Sequence, residues 1–167
     1  MFDYRQFIDA YASIEDMRRW AYSVMESRPP DFIIGAEPLL MDYMHRWHIL
    51  PRNAMQNVYL HLTMRDDDDV MHNHPWASTS LIIENGYQED TPEGTFIRKP
   101  GDVIERTANA FHRLKLTEGR PSISLFFTGY KEQEWGFDCG GRFVPWQIFT
   151  GGKHAGRSAT GQGCGEN

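Results

Sequence analysis

The chain has 167 residues, of which 40% are apolar and 13% aromatic, enough for one domain with its own core, and it carries a formal charge of −6. With a pI near 5.6 and no cluster of Lys and Arg, no nucleic acid and no anionic membrane is expected as partner, because phosphate binding rests on concentrated positive charge. The start, Met1-Phe2-Asp3-Tyr4-Arg5, is neither basic nor apolar, and no run approaches the roughly 18 apolar residues that span a bilayer, so a cytoplasmic location is expected.

Ser13-Ile14-Glu15-Asp16 reads as a helix N-cap with acids in the first turn, and Ile14, Met17, Ala21, Val24 and Met25 recur at helical spacing until Pro29-Pro30. Phe32-Ile33-Ile34 and the stretch from Tyr43 to Leu50 read as short extended pieces, set off by turns at Gly35, Pro38 and Pro51-Arg52-Asn53. From Asn57 the period becomes two, with Val58, Leu60, Leu62 and Met64 on one face and Tyr59, His61 and Thr63 on the other. Strands are predicted over 57–64, 70–74, 78–84, 95–98, 102–105, 111–116, 122–129 and 143–149, divided by links such as Asp66 to Asp69 and Pro92-Glu93-Gly94. Many short strands at this spacing predict an all-β sandwich or barrel. The expected organisation is a barrel over 51–150, an N-terminal helix and short strands over 1–50 packed on it, and a glycine-rich, disordered tail over 151–167. Cys139 and Cys164 form no C-x-x-C pair, and the glycine-rich setting of Cys164 predicts no disulfide. Any metal would then depend on nitrogen and oxygen donors.

His72-Asn73-His74 supplies such donors. On a strand, positions i and i+2 share a face and can reach one ion, whereas on a helix they diverge by roughly 200°. Gly86, Gly101 and His112 follow at intervals that resemble the two conserved motifs of the cupins, small jelly-roll barrels also described as a double-stranded β-helix. The resemblance covers about residues 57–130, and it implies that His72, His74 and His112 are metal ligands. His72-Asn73-His74-Pro75-Trp76, together with Trp135-Gly136-Phe137 and Val144-Pro145-Trp146, is also similar to a cupin group that includes bacteriophage members. Thr79 stands where many cupins place a glutamate ligand, so the resemblance implies three neutral imidazoles and no carboxylate. Asp66, Thr107 and Leu116 depart from the motifs at a glycine, a proline and an asparagine.

Such a centre would take one divalent transition metal, Fe(II) foremost, with Zn, Ni or Mn as other occupants. It resembles thiol dioxygenases and diketone-cleaving cupins, which implies dioxygenase-like chemistry on a small molecule. An isomerase or epimerase acting on a sugar or small acid is a second reading, with Tyr59 or His61 as proton-transfer residue. A non-catalytic ligand-binding or assembly cupin is a third, and a homodimer is expected by resemblance. Asp66 to Asp69 reads as a solvated turn, His45 and His48 as structural or surface residues, and His154 as part of the tail. Arg98 and Arg113 are weighed as partners for a substrate carboxylate, with Arg113 expected to face away from His112. Trp76, Trp135, Phe137, Phe143 and Trp146 form an aromatic set that would pack a core, line a pocket or bury a dimer contact.

Overall fold

A computed structural model describes residue 9 and residues 13–35, 42–151 and 161–165. Helix α1, Ile14–Ser27, starts as the sequence predicts: the Ser13 hydroxyl accepts the amide of Asp16 at 3.2 Å. Strands β1 (Phe32–Ile34), β2 (Met44–His48), β3 (Asn57–Thr63), β4 (Ser78–Glu84), β7 (Val103–Arg106) and β9 (Ser122–Thr128) form an antiparallel sheet in the order β1-β2-β3-β9-β4-β7. A second sheet runs β6-β5-β8, from Gly94–Arg98, Tyr87–Thr91 and Arg113–Leu116. Strands β10 (Gly136–Asp138) and β11 (Phe143–Pro145) make a separate ribbon.

The period-two pattern of β3 decides how the large sheet is used. Val58 and Leu60 join Trp47, Leu81, Ile83, Leu125 and Phe127 in the main core, which Met17 and Ala21 of α1 cover. The opposite face carries His61, Ser80, Ile82, Ser124 and Phe126 and looks toward the second sheet, where Ile82 packs with Tyr87, Ile104 and Leu114. The result is an all-β jelly roll with a helix added outside. Gly86, at φ +78°, allows the turn into β5, where an added Cβ would lie 2.1 Å from the Arg98 carbonyl oxygen.

Several expectations need correction. Residues 70–74 do not form a strand; His72 alone bridges His112 on one side and Phe137 on the other. Strand β5 fell in a stretch whose polar residues, Gln88, Glu89 and Asp90, resemble a link. The predicted strand 143–149 stops at Pro145, and helix α2 runs Trp146–Phe149. Cys139 and Cys164 form a disulfide, contrary to the expectation of none. Residues 161–165 of the glycine-rich end also pack, with the amides of Gln162 and Gly163 donating to the carbonyls of Ile148 and Phe149. Gly161 permits this approach, since a Cβ there would lie 2.0 Å from the Phe149 oxygen. His154 lies outside the described residues.

Candidate metal centre

The backbone brings two of the histidines together. His72 and His112 exchange N–H to O=C bonds at 2.9 Å in both directions, and the His74 amide donates to the Ala108 carbonyl at 3.3 Å. The three rings sit 4.9 to 5.1 Å apart between centroids, and one ring nitrogen from each lies within 4.8 Å of the others. Nε2 of His74 and Nε2 of His112 are 2.9 Å apart. His112 is buried, and His72 and His74 are half-buried on the wall of a cavity of about 440 Å³.

Glu89 sets the chemistry of His112. Its carboxylate, 1% exposed, faces Nδ1 of His112 at 3.0 Å and also receives Nε of Arg98 and Nε of Arg106, both at 2.7 Å. Burial alone would raise this carboxyl, yet the His112 hydrogen bond and the Arg106 charge hold its pKa down to about 2. An ionised carboxylate only accepts, so the proton of neutral His112 sits on Nδ1 and the Nε2 lone pair is free for the cluster. Burial lowers the His112 pKa to about 4, against the partial opposition of Glu89. Burial, then the charges of His112 and His72, push His74 well below the ordinary imidazole value. Metal binding requires neutral, deprotonated ring nitrogens, and the surroundings of both residues favour that form. The donor set therefore fits a transition metal, with the Glu89 carboxylate placed to orient one ligand.

The Asp66 to Asp69 segment is more than a solvated turn. Asp67 is buried, accepts the Tyr43 hydroxyl and the Leu114 amide, and places Oδ2 3.8 Å from Nδ1 of His72; Asp66 accepts the Leu116 amide at 2.7 Å. Arg98 is engaged by Glu89, and Arg113 pairs with exposed Asp69, away from the histidines as its neighbour position predicts. Thr79 does not face the cavity. Leu81 and Ile83, on its face of β4, belong to the outer core, whereas Ser80 faces the cavity beside Arg106. Among the described residues, the group able to hold an ion contains no carboxylate.

His61 lines the cavity. Tyr59 shares its face but lies behind Arg46, whose guanidinium carbon is 4.5 Å from the Tyr59 ring centroid. His48, expected to be structural or on the surface, is on the cavity wall with its ring 5.3 Å from that of Tyr59, while His45 pairs with Asp42 at 2.7 Å. Trp76, Trp135, Phe137 and Trp146 also line the cavity, with Trp135 and Trp146 stacked at 5.7 Å; Phe143 is exposed instead. Sequence reasoning missed Glu89, Asp67 and Arg46. The available signal for Glu89 was its period-two spacing with Tyr87 and Thr91 after Gly86.

No protein-family model matches the chain, and no curated protein matches it. Solved structures do. A cupin-2 domain protein from Rhodospirillum rubrum aligns at 10% identity over 62% of this chain and 71% of its own, with a TM-score of 0.50. A DMSP lyase from Ruegeria pomeroyi DSS-3 aligns at 15% identity with a TM-score of 0.49, covering 61% of this chain and 55% of the lyase, about half its length. A cupin-superfamily sugar phosphate isomerase from Silicibacter pomeroyi DSS-3 aligns at 12% identity over 57% of this chain and 65% of its own, with a TM-score of 0.45. At these identities the likeness is one of fold, and that fold is the cupin double-stranded β-helix. Among the described residues no helix is long and apolar enough to cross a membrane.

Proposed function

We propose that His72, His74 and His112 hold one divalent transition metal, Fe(II) foremost, and that the chain is a mononuclear metalloenzyme with dioxygenase-type activity on a small molecule. The observation that carries this reading is the Glu89 to His112 hydrogen bond, which directs a neutral Nε2 lone pair at the cluster. A bound ion would supply Lewis acidity and, for iron, one-electron redox chemistry, with its full double charge retained for want of a carboxylate ligand. The chain's own contribution is to orient the imidazoles, hold those of His74 and His112 neutral and enclose the substrate between aromatic walls.

The test is elemental analysis of protein purified without affinity-tag metals, beside a His112→Ala variant. Near-stoichiometric metal in the wild type and at least tenfold less in the variant are expected. Equal and negligible metal in both, with no uptake of Fe, Mn, Ni or Zn, would refute the reading. Oxygen uptake with thiols and diketones then separates dioxygenase chemistry from an oxygen-independent isomerase.

A further inference from the structure

The cavity that holds the histidine cluster has a second chemical feature on its β2 wall. Arg46 reaches it from the middle of that strand, donating Nε to Nε2 of His61 at 2.9 Å and resting on the face of Tyr59. The other buried or half-buried guanidiniums with described ion pairs contrast with it: Arg28 meets Asp31, Arg98 and Arg106 meet Glu89, and Arg113 meets Asp69. Arg46 has no carboxylate within ion-pair distance among the described residues, and neither has Arg52, which lines the same cavity. The two cations lie close enough for Arg52 to disfavour the charge of Arg46. Burial does so more strongly, and together they lower the Arg46 pKa to about 10, which still leaves the group charged at neutral pH.

A positive charge half withdrawn from water, with no counterion among the described residues, is costly unless a ligand completes the pair. The Nε edge of Arg46 is taken by His61, so the two Nη groups are the part of the fork left to meet an oxyanion in the bidentate manner that guanidinium favours. The His61 bond also has a consequence for His61 itself. Its Nε2 lone pair is occupied by a permanent donor, and burial, then the Arg46 charge, keep the ring well below its ordinary pKa. His61 therefore positions Arg46 and does not remove a proton through Nε2 while that bond stands.

We propose that Arg46, supported by Arg52, anchors an oxyanion, carboxylate or phosphate, of the small molecule that enters this cavity. The proposal rests on the metal-centre reading for what happens at the other end of the molecule: one end is held on the β2 wall, and the reacting end is presented to His72, His74 and His112. It narrows the substrate class to small anionic compounds, and the cavity of about 440 Å³ has room for one.

The test is calorimetric titration of the full chain, stripped of metal with EDTA and dialysed, with succinate in one arm and inorganic phosphate in the other. At least one anion should bind, with the tighter arm identifying the headgroup. Arg46→Gln should weaken it tenfold or more, Arg46→Lys at least threefold through loss of the fork, and Arg52→Gln two- to fivefold. Circular dichroism melts check folding of each variant, and if Arg46→Gln does not fold the other two variants decide. Unchanged affinity in the folded variants, or no binding of either anion to the wild type, would overturn the proposal. Because no metal is present, anion binding by a chain that cannot load metal would sink only the proposed function. Metal loading by a chain that binds neither anion would sink only this inference.

Discussion

The two faces of the six-stranded sheet divide the labour of the molecule. On the outer face, Val58, Leu60, Leu81, Ile83, Leu125 and Phe127 bury against α1, and burial of such side chains contributes roughly 1.5–3 kcal/mol each. On the inner face, alternate residues of the same strands are His61, Ser80, Ser124 and Phe126, with an open cavity in front of them. The inner side is not purely polar, since Ile82 and Phe126 also lie on it; what sets it apart is a cavity walled by polar and aromatic side chains together. Stability and chemistry are thus carried by neighbouring residues one position apart.

Substitutions can break that division. The largest effect is expected from Glu89→Ala, which strips Arg98 and Arg106 of a buried partner and frees His112 to adopt either tautomer. A cost of about 3–5 kcal/mol in urea denaturation is expected, together with a metal affinity about 10–100-fold weaker. A variant losing only stability would show that Glu89 has no part in the site. Leu125→Ala, in a side chain 0% exposed on the outer face, should cost about 2–5 kcal/mol while leaving metal content per folded chain unchanged. Loss of metal from folded Leu125→Ala would show that the two faces are coupled.

The ribbon next to the cavity sharpens the comparison. Cys164→Ser opens a link across 25 residues, and a loss of about 3 kcal/mol is expected from the loop-closure argument. Non-reducing denaturation curves with and without prior reduction should show the same difference in the wild type and none in the variant. The smallest effect is at His61. Burial lowers its folded pKa, so folding favours the neutral ring; the unfolded chain takes up a proton below its ordinary value of 6.5, and the contribution present above that pH is lost as pH falls through it. His61→Gln should therefore lose less stability than the wild type between pH 7 and 5. Equal losses would place the acid sensitivity elsewhere.

Much of the frame was legible because it depends on short-range rules. His72 and His74 reach one cluster although the strand predicted for them is absent, Gly86 and Gly101 take positive φ at the turns, and the Ser13 cap starts α1. What escaped depends on contacts distant in sequence. Glu89 looked like one acid in a polar link until Arg98, Arg106 and His112 converged on it. The charge of Arg46 could be placed on a predicted extended segment, but whether an acid met it could not be known before the sheet closed. The disulfide required the chain to return after α2, and glycine content, which suggested looseness, is what allows Gly161 to approach the Phe149 carbonyl.

The Glu89 knot has a further consequence. It joins Glu89 of β5 and Arg98 of β6 to Arg106 at the end of β7, and so stitches the second sheet to the first. Exchanging Glu89 alone strands two guanidiniums in the seam, whereas exchanging either arginine leaves the carboxylate its other partner. Inheritance should therefore hold the shared acid more tightly than either of its two arginines, while the apolar residues under α1 drift one at a time.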